Sequence, residues 1–167
     1  MRLKCIKYGD DISTDQIIAG KYTKTINFAE LAAHAMEDLD VNFHKKIEGG
    51  GIIVAGNNFG CGSSREQAPL ALKEAGVACV VAKSFARIFY RNAVNIGLPI
   101  AECDTSIIQD GDELEFEIGS DTLYIITQKK SLKLSPLPAI MVQILNDGGI
   151  ERHFALKSGH PSTTQVG

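Results

Sequence analysis

Three short apolar runs, Ile52-Ile53-Val54-Ala55, Val77 to Ala82 and Leu98 to Cys103, alternate with stretches of helical period, and this alternation restricts the fold more than any other feature of the chain. The runs are bounded by glycine or proline and lack polar alternation, the mark of strands buried on both faces. Gln67 to Ala75, closed by Gly76, reads as the helix between the first two. Phe85, Ile88, Phe89, Ala93 and Ile96 line a helix between the second and third, ended by Gly97 and Pro99. Strand–helix–strand–helix–strand order makes a parallel sheet with helices on its faces, because parallel neighbours need a long crossover. Beyond Asp110-Gly111-Asp112 the period becomes two: Glu113 to Ile118 alternates, Gly119-Ser120-Asp121 turns, and Thr122 to Thr127 returns. With Leu132 and Leu134 continuing it, this is an antiparallel β meander. The expected class is α/β, a central parallel sheet flanked by helices plus the meander.

The remaining segments fit around that frame. Met1 to Tyr8 suits a strand, Gly9 to Asp15 a polar loop, and Gln16 to Asn27 a mixed loop. Phe28, Leu31, Ala32, Ala35, Met36 and Leu39 form one helical stripe behind Asn27, an N-cap with Glu30 three residues on. Pro136 to Asn146 reads as a last short helix, stopped by Gly148-Gly149. A length of 167 residues fits one domain, expected over 1–156, and the Ser, Gly, Thr and Pro composition of 157–167 predicts a disordered tail.

Charge and apolar content exclude several classes of partner. Basic residues number 17 and acidic residues 20, so the net charge is −3, and no positive field exists to attract nucleic acid or an anionic membrane. The longest apolar run, about Ala75 to Ala82, is far short of the roughly 20 residues that span a bilayer. The start, Met1 to Tyr8, lacks the apolar stretch of a signal peptide, and a cytoplasmic protein is expected. Cys5, Cys61, Cys79 and Cys103 are scattered without a C-x-x-C, which points to free thiols in a reducing compartment and to no metal held by this chain.

The densest chemical signal is Gly56-Asn57-Asn58-Phe59-Gly60-Cys61-Gly62-Ser63-Ser64-Arg65-Glu66-Gln67. Glycines let the backbone approach a ligand closely, and two hydroxyls and a guanidinium then arrive at the start of a helix. Free N–H groups and the dipole at such a terminus stabilise an anion, and Arg65 adds a bidentate grip on a carboxylate or phosphate. Helix capping is the competing reading, since Ser63-x-x-Glu66 and Ser64-x-x-Gln67 both match a capping box. Capping accounts for one serine and its partner, but not for the glycines, the second serine and the arginine together. The loop lacks the Lys-Ser/Thr of a P-loop, the third glycine of a dinucleotide fingerprint and the closing glycine of a hydrolase elbow. Cys61 has no histidine near it in sequence and reads as a packing thiol.

Three motifs carry a resemblance: Asp11-Ile12-Ser13-Thr14-Asp15, Gly60-Cys61-Gly62-Ser63-Ser64-Arg65-Glu66, and Ala82-Lys83-Ser84-Phe85-Ala86-Arg87-Ile88-Phe89-Tyr90-Arg91-Asn92-Ala93. In order and spacing they resemble the small subunit of 3-isopropylmalate dehydratase, the swivel-domain branch of the aconitase superfamily, over about residues 4 to 152. Gln67 stands where many relatives carry His. The resemblance implies a three-layer-like swivelling domain and a hydro-lyase that interconverts 2- and 3-isopropylmalate in leucine biosynthesis. It implies a partner as well, a large subunit that carries a [4Fe–4S] cluster, while this chain holds no cofactor. By motif position Ser63 would be the base, Ser64 and Arg65 would bind a substrate carboxylate, and Asp15 would hold an arginine or a proton-transfer water.

The resemblance also assigns Tyr22-Thr23-Lys24-Thr25 to the loop that meets the variable end of the substrate. Thr23, Lys24 and Thr25 match neither the apolar pattern that suits an isopropyl group nor the arginine that suits a distal carboxylate. Homoaconitate, methylmalate and dimethylmalate therefore stand as alternative substrates. An alternative of another class is a non-catalytic anion-binding or regulatory module that uses the same glycine loop. His34 and His44 are too far apart for a helical metal pair and read as surface histidines. Arg87 and Arg91, four apart, share a helix face that points either to the site mouth or to solvent.

Overall fold

A computed structural model describes residues 1–159. Seven strands form one mixed sheet: β1 (Arg2–Lys7), β2 (Gly51–Val54), β3 (Val77–Ala82), β4 (Ile100–Glu102), β5 (Glu113–Glu115), β6 (Thr122–Ile125) and β7 (Lys130–Lys133), in the order β4-β3-β2-β1-β5-β6-β7. From β4 to β1 the neighbours are parallel, with Cys5 opposite Ile52, Ile53 opposite Val80, and Val81 opposite Ala101. From β1 onward they are antiparallel, with Leu3 opposite Leu114 and Leu123 opposite Leu132. The parallel sheet and the meander expected from the sequence are thus one structure, joined at the shared strand β1.

Period-two alternation divides the strand residues between two cores. Ile6, Ile53, Val80 and Ala82 face the helices, while Cys5, Ile52, Val54, Cys79 and Val81 pack with Leu114, Phe116, Leu123 and Ile125. The helices are α1 (Thr14–Ile17), α2 (Phe28–His34), α3 (Phe43–Ile47), α4 (Gln67–Ala75), α5 (Arg87–Ile96), α6 (Ala139–Asn146) and α7 (Ile150–Ser158). Those that bury apolar side chains do so on the first core. The parallel sheet flanked by helices and the added meander are as expected; the helices pack on one face, and the curled antiparallel half covers the other.

Other departures have local causes. The stripe from Phe28 to Leu39 is helical only to His34, because Met36 adopts a φ of 61° and gives its N–H to the Ile17 carbonyl at 2.8 Å. Ala35 and Met36 remain fully buried, so the apolar pattern outlasts the helix. In α3 only Phe43 and Ile47 are buried, too few to establish a period. The sequence reading ended the helices at Asn146, yet α7 follows and includes Lys157 and Ser158 of the expected tail. It escaped notice because its pattern is inverted: His153 is buried while Phe154 and Leu156 are 61% and 68% exposed. The rest of the expected disordered tail, 160–167, lies outside the described residues. Asn27 does cap α2, its Oδ1 accepting the Glu30 N–H at 3.2 Å.

Asp112 ties the loop that enters β5 to the turn that follows β6. Its carboxylate accepts the Gln109 N–H at 2.8 Å, the Thr127 hydroxyl at 2.6 Å and the Gln128 amide at 2.7 Å. Burial alone would raise its pKa, but these bonds outweigh it and hold the group below its ordinary 3.8. The folded form is therefore the stronger acid, and its contribution is complete above the unfolded pKa. That contribution is lost as pH falls through the depressed folded value. Asp112→Ala orphans three donors and is expected to cost about 2–3 kcal/mol in urea titrations at pH 7. The gap from the parent protein should narrow below about pH 4.

Candidate active site

The loops that leave β1, β2 and β3 emerge side by side at the carboxyl edge of the parallel strands, where open α/β sheets place their ligands. Main-chain pairing continues past the strand ends. Gly60 N–H donates to the Ile12 carbonyl at 2.7 Å, and Thr14 N–H donates to the Cys61 carbonyl at 2.8 Å. On the other side, Phe59 N–H reaches the Ser84 carbonyl at 3.1 Å and Ala86 N–H reaches the Phe59 carbonyl at 2.9 Å. The glycine loop is thereby held between its two neighbours as a strand would be.

Two glycines are required here, Gly60 by packing and backbone conformation and Gly62 by conformation alone. Gly60 has a φ of 83°, and a Cβ there would overlap the ring of Phe89, itself buried against Phe59. Gly62 has a φ of 98° and brings the backbone within reach of the Thr14 hydroxyl. Both values lie in the left-handed region that other residues enter only at a cost.

Neither capping box proposed for the loop forms. The N-cap of α4 is Glu66, in right-handed helical conformation and without a side-chain cap bond. Ser63 and Ser64 are both exposed. The bond Ser63 makes is through its carbonyl, which accepts from Thr14 Oγ1 at 2.9 Å. Among the described residues the N–H groups of Gly62, Ser63, Ser64 and Arg65 have no main-chain acceptor. A true capping box lies elsewhere: Ser13 Oγ accepts the Gln16 N–H at 3.2 Å, and Gln16 Oε1 accepts the Ser13 N–H at 2.9 Å. Its Ser-x-x-Gln spelling was legible, and it makes a helix where the sequence reading left a loop.

That helix, α1, brings Asp15 to Arg65. The two form an ion pair, and Arg65 Nη1 also donates to the Ile18 carbonyl at 3.1 Å. Arg65 is the more enclosed partner, its side chain 18% exposed against 65% for Asp15. Two held contacts fix the plane of the guanidinium and leave further N–H donors for an anion. Ser63, Ser64 and Arg65 share a cleft of about 220 Å³ with Thr14, Arg87 and Phe89. The sequence predicts the first three as site residues; Thr14 joins them from the Asp11–Asp15 motif, and Arg87 faces the cleft rather than solvent alone.

Thr23, Lys24 and Thr25 do not line this cleft. Thr23 Oγ1 donates to the Gly20 carbonyl at 2.7 Å, and Thr25 Oγ1 donates to Glu30 at 2.8 Å, so both hydroxyls shape their own loop. Lys24 is exposed. The segment begins beside the site, since Gly20 lies against the Arg65 guanidinium. His34 is not a free surface histidine: its ring stacks on Tyr22 at 3.9 Å and its Nδ1 lies 2.8 Å from Glu37.

No three His, Cys, Asp or Glu side chains among the described residues converge to hold a metal ion. Burial pushes the thiols of Cys5 and Cys103 up to about 11 and that of Cys79 higher still, so they stay protonated and inert. No helix among the described residues is long and apolar enough to cross a membrane.

Comparison with known proteins agrees with this geometry. Residues 7–102 match the family model described as the aconitase C-terminal domain. The 3-isopropylmalate dehydratase small subunit of Brachyspira hyodysenteriae is 51% identical over 146 residues, 86% of this chain and 90% of that protein. The 3-isopropylmalate dehydratase small subunit 2 of Archaeoglobus fulgidus is 54% identical over 145 residues, 86% of this chain and 88% of that protein. The crystal structure of 3-isopropylmalate dehydratase (LeuD) from Methanocaldococcus jannaschii superposes with a TM-score of 0.89 at 44% identity, covering 94% of each chain. A shared fold, matched over most of the chain at such identity, places this chain in the aconitase C-terminal domain family, among the small subunits of 3-isopropylmalate dehydratase.

Proposed function

We propose that this chain is the proton-transfer half of a hydro-lyase that interconverts 2- and 3-isopropylmalate, active when joined to a large subunit. The observation that carries this reading is the exposed Ser63, among amides with no main-chain acceptor among the described residues and in one cleft with the Arg65 guanidinium, in a chain about half identical to relatives of that name. A [4Fe–4S] cluster on the large subunit would supply Lewis acidity toward the substrate hydroxyl; this chain offers it no ligand set among the described residues.

The residues present here do the rest. Ser63, as its alkoxide, takes the proton from the carbon α to a carboxylate. Lowering a serine pKa by five or six units requires roughly 7–8 kcal/mol. Charge-assisted hydrogen bonds supply about 1.5–3 kcal/mol each, so two or three free amides with the Arg65 charge nearby reach that sum. Arg65 and Ser64 grip the carboxylate and hold the reacting carbon in line, and Asp15 keeps the guanidinium from turning away. Exposure of the serine on the free chain is consistent with a site completed by the partner, which excludes water and strengthens these interactions.

Mixing the chain with a cluster-bearing large subunit under anaerobic conditions is expected to give turnover of isopropylmalate, followed by absorbance of the unsaturated acid. Homo-, methyl- and dimethyl-substituted malates in the same assay test the alternative substrates, and isopropylmalate should give the highest kcat/KM. An anion-binding module would instead give no turnover with any partner and a ligand-dependent rise in Tm.

A further inference from the structure

Thr14 is buried, with 2% of its surface exposed, yet its side chain is polar and lies at the floor of the cleft. Its Oγ1 donates to the Ser63 carbonyl at 2.9 Å, and its own N–H donates to the Cys61 carbonyl at 2.8 Å. Gly62, between these two carbonyls, has a φ of 98°, a left-handed backbone that other residues rarely adopt, and this turn brings both carbonyls to Thr14.

One geometric consequence bears on the chemistry. A trans peptide is planar, so its C=O and N–H point in opposite directions. Drawing the Ser63 carbonyl down to the buried Thr14 turns the Ser64 N–H of the same peptide outward, where it has no main-chain acceptor among the described residues. We infer that Thr14 is a positioning residue, which fixes the peptide between Ser63 and Ser64 so that its N–H is presented to the anionic species in the cleft. The inference rests on the function proposed above. Thr14 acts through Ser63, whose carbonyl accepts the hydrogen bond from its hydroxyl.

Two substitutions separate this role from simple packing. Thr14→Val keeps the shape and removes the donor, whereas Thr14→Ser keeps the donor and removes a methyl group. In the assembled heteromer Thr14→Val is expected to lower kcat about 10²-fold, the effect of losing one preorganised donor, with KM within about threefold of wild type. The ascending limb of its kcat–pH profile should move to higher pH, because the alkoxide is less well held. Thr14→Ser should recover kcat to within about threefold and restore the profile. A Thr14→Val enzyme with lowered Tm but unchanged kcat and pH profile would overturn the inference. So would a Thr14→Ser enzyme with a kcat as low as about 10²-fold down, a result readable even if the valine variant fails to fold. A wild-type pair that turns over none of the substrates would overturn the functional reading and this inference together; loss of the inference alone leaves wild-type turnover intact.

Discussion

Ser63→Ala is expected to lower kcat of the assembled enzyme by on the order of 10²–10⁴, the range a positioned general base contributes. Its Tm and its affinity for the large subunit should match those of wild type. Both halves follow from the same observation. The hydroxyl is exposed and caps no helix, so its removal breaks nothing in the fold, and surface changes of this kind stay within about 0.5 kcal/mol. The loss therefore falls on chemistry alone. Anaerobic turnover measured beside a melting curve checks the pair of expectations. A variant that turns over normally removes Ser63 as the base, and one that melts earlier gives the serine a structural role.

Gly60→Ala produces the opposite signature, a large loss of stability that carries activity with it. The new Cβ must enter the space of the Phe89 ring, and the backbone must keep a φ of 83° that alanine resists. The left-handed conformation costs about 1–2 kcal/mol and overpacking about 1–3 kcal/mol. Phe89 cannot retreat easily, since it is packed edge-on against Phe59 and stacked with Phe85. A total of about 2–5 kcal/mol should appear as a lower urea midpoint at unchanged slope. Because Gly60 is tied to Ile12 by the main chain, any relief by loop movement also displaces Ser63. Residual activity should thus fall further than the folded fraction.

The sequence made the sheet legible because its strands advertise themselves in two ways. β2 and β3 are unbroken apolar runs, and the segment around β5 alternates strictly with its glutamates outward. What it did not disclose was that the meander would cover the second face of the parallel strands. Leu114 and Leu123 are apolar in any arrangement, and their partners Cys79 and Val81 lie about 30 to 45 positions away. Short helices were lost for a different reason. Phe43 and Ile47 in α3 are two points, and α7 turns a histidine inward and a phenylalanine outward because Asp147, at 2.7 Å, satisfies His153. In the site, residue identities were legible and contacts were not. Asp15 and Arg65 lie 50 positions apart, and only the pairing of loops beyond β1 and β2 shows that they touch. Thr14 was overlooked because a threonine beside two charged or polar neighbours gives no sign of burial.

The lacing of the glycine loop between its neighbours is made almost wholly of peptide groups, and peptide groups are the same whatever amino acid bears them. Drift in most side chains around the cleft therefore leaves the position of the Ser63 hydroxyl unaltered, provided Thr14 and the few obligatory glycines stay. The stretch from Gly20 to Thr25, which borders the arginine without being woven into that lattice, is free to change on its own.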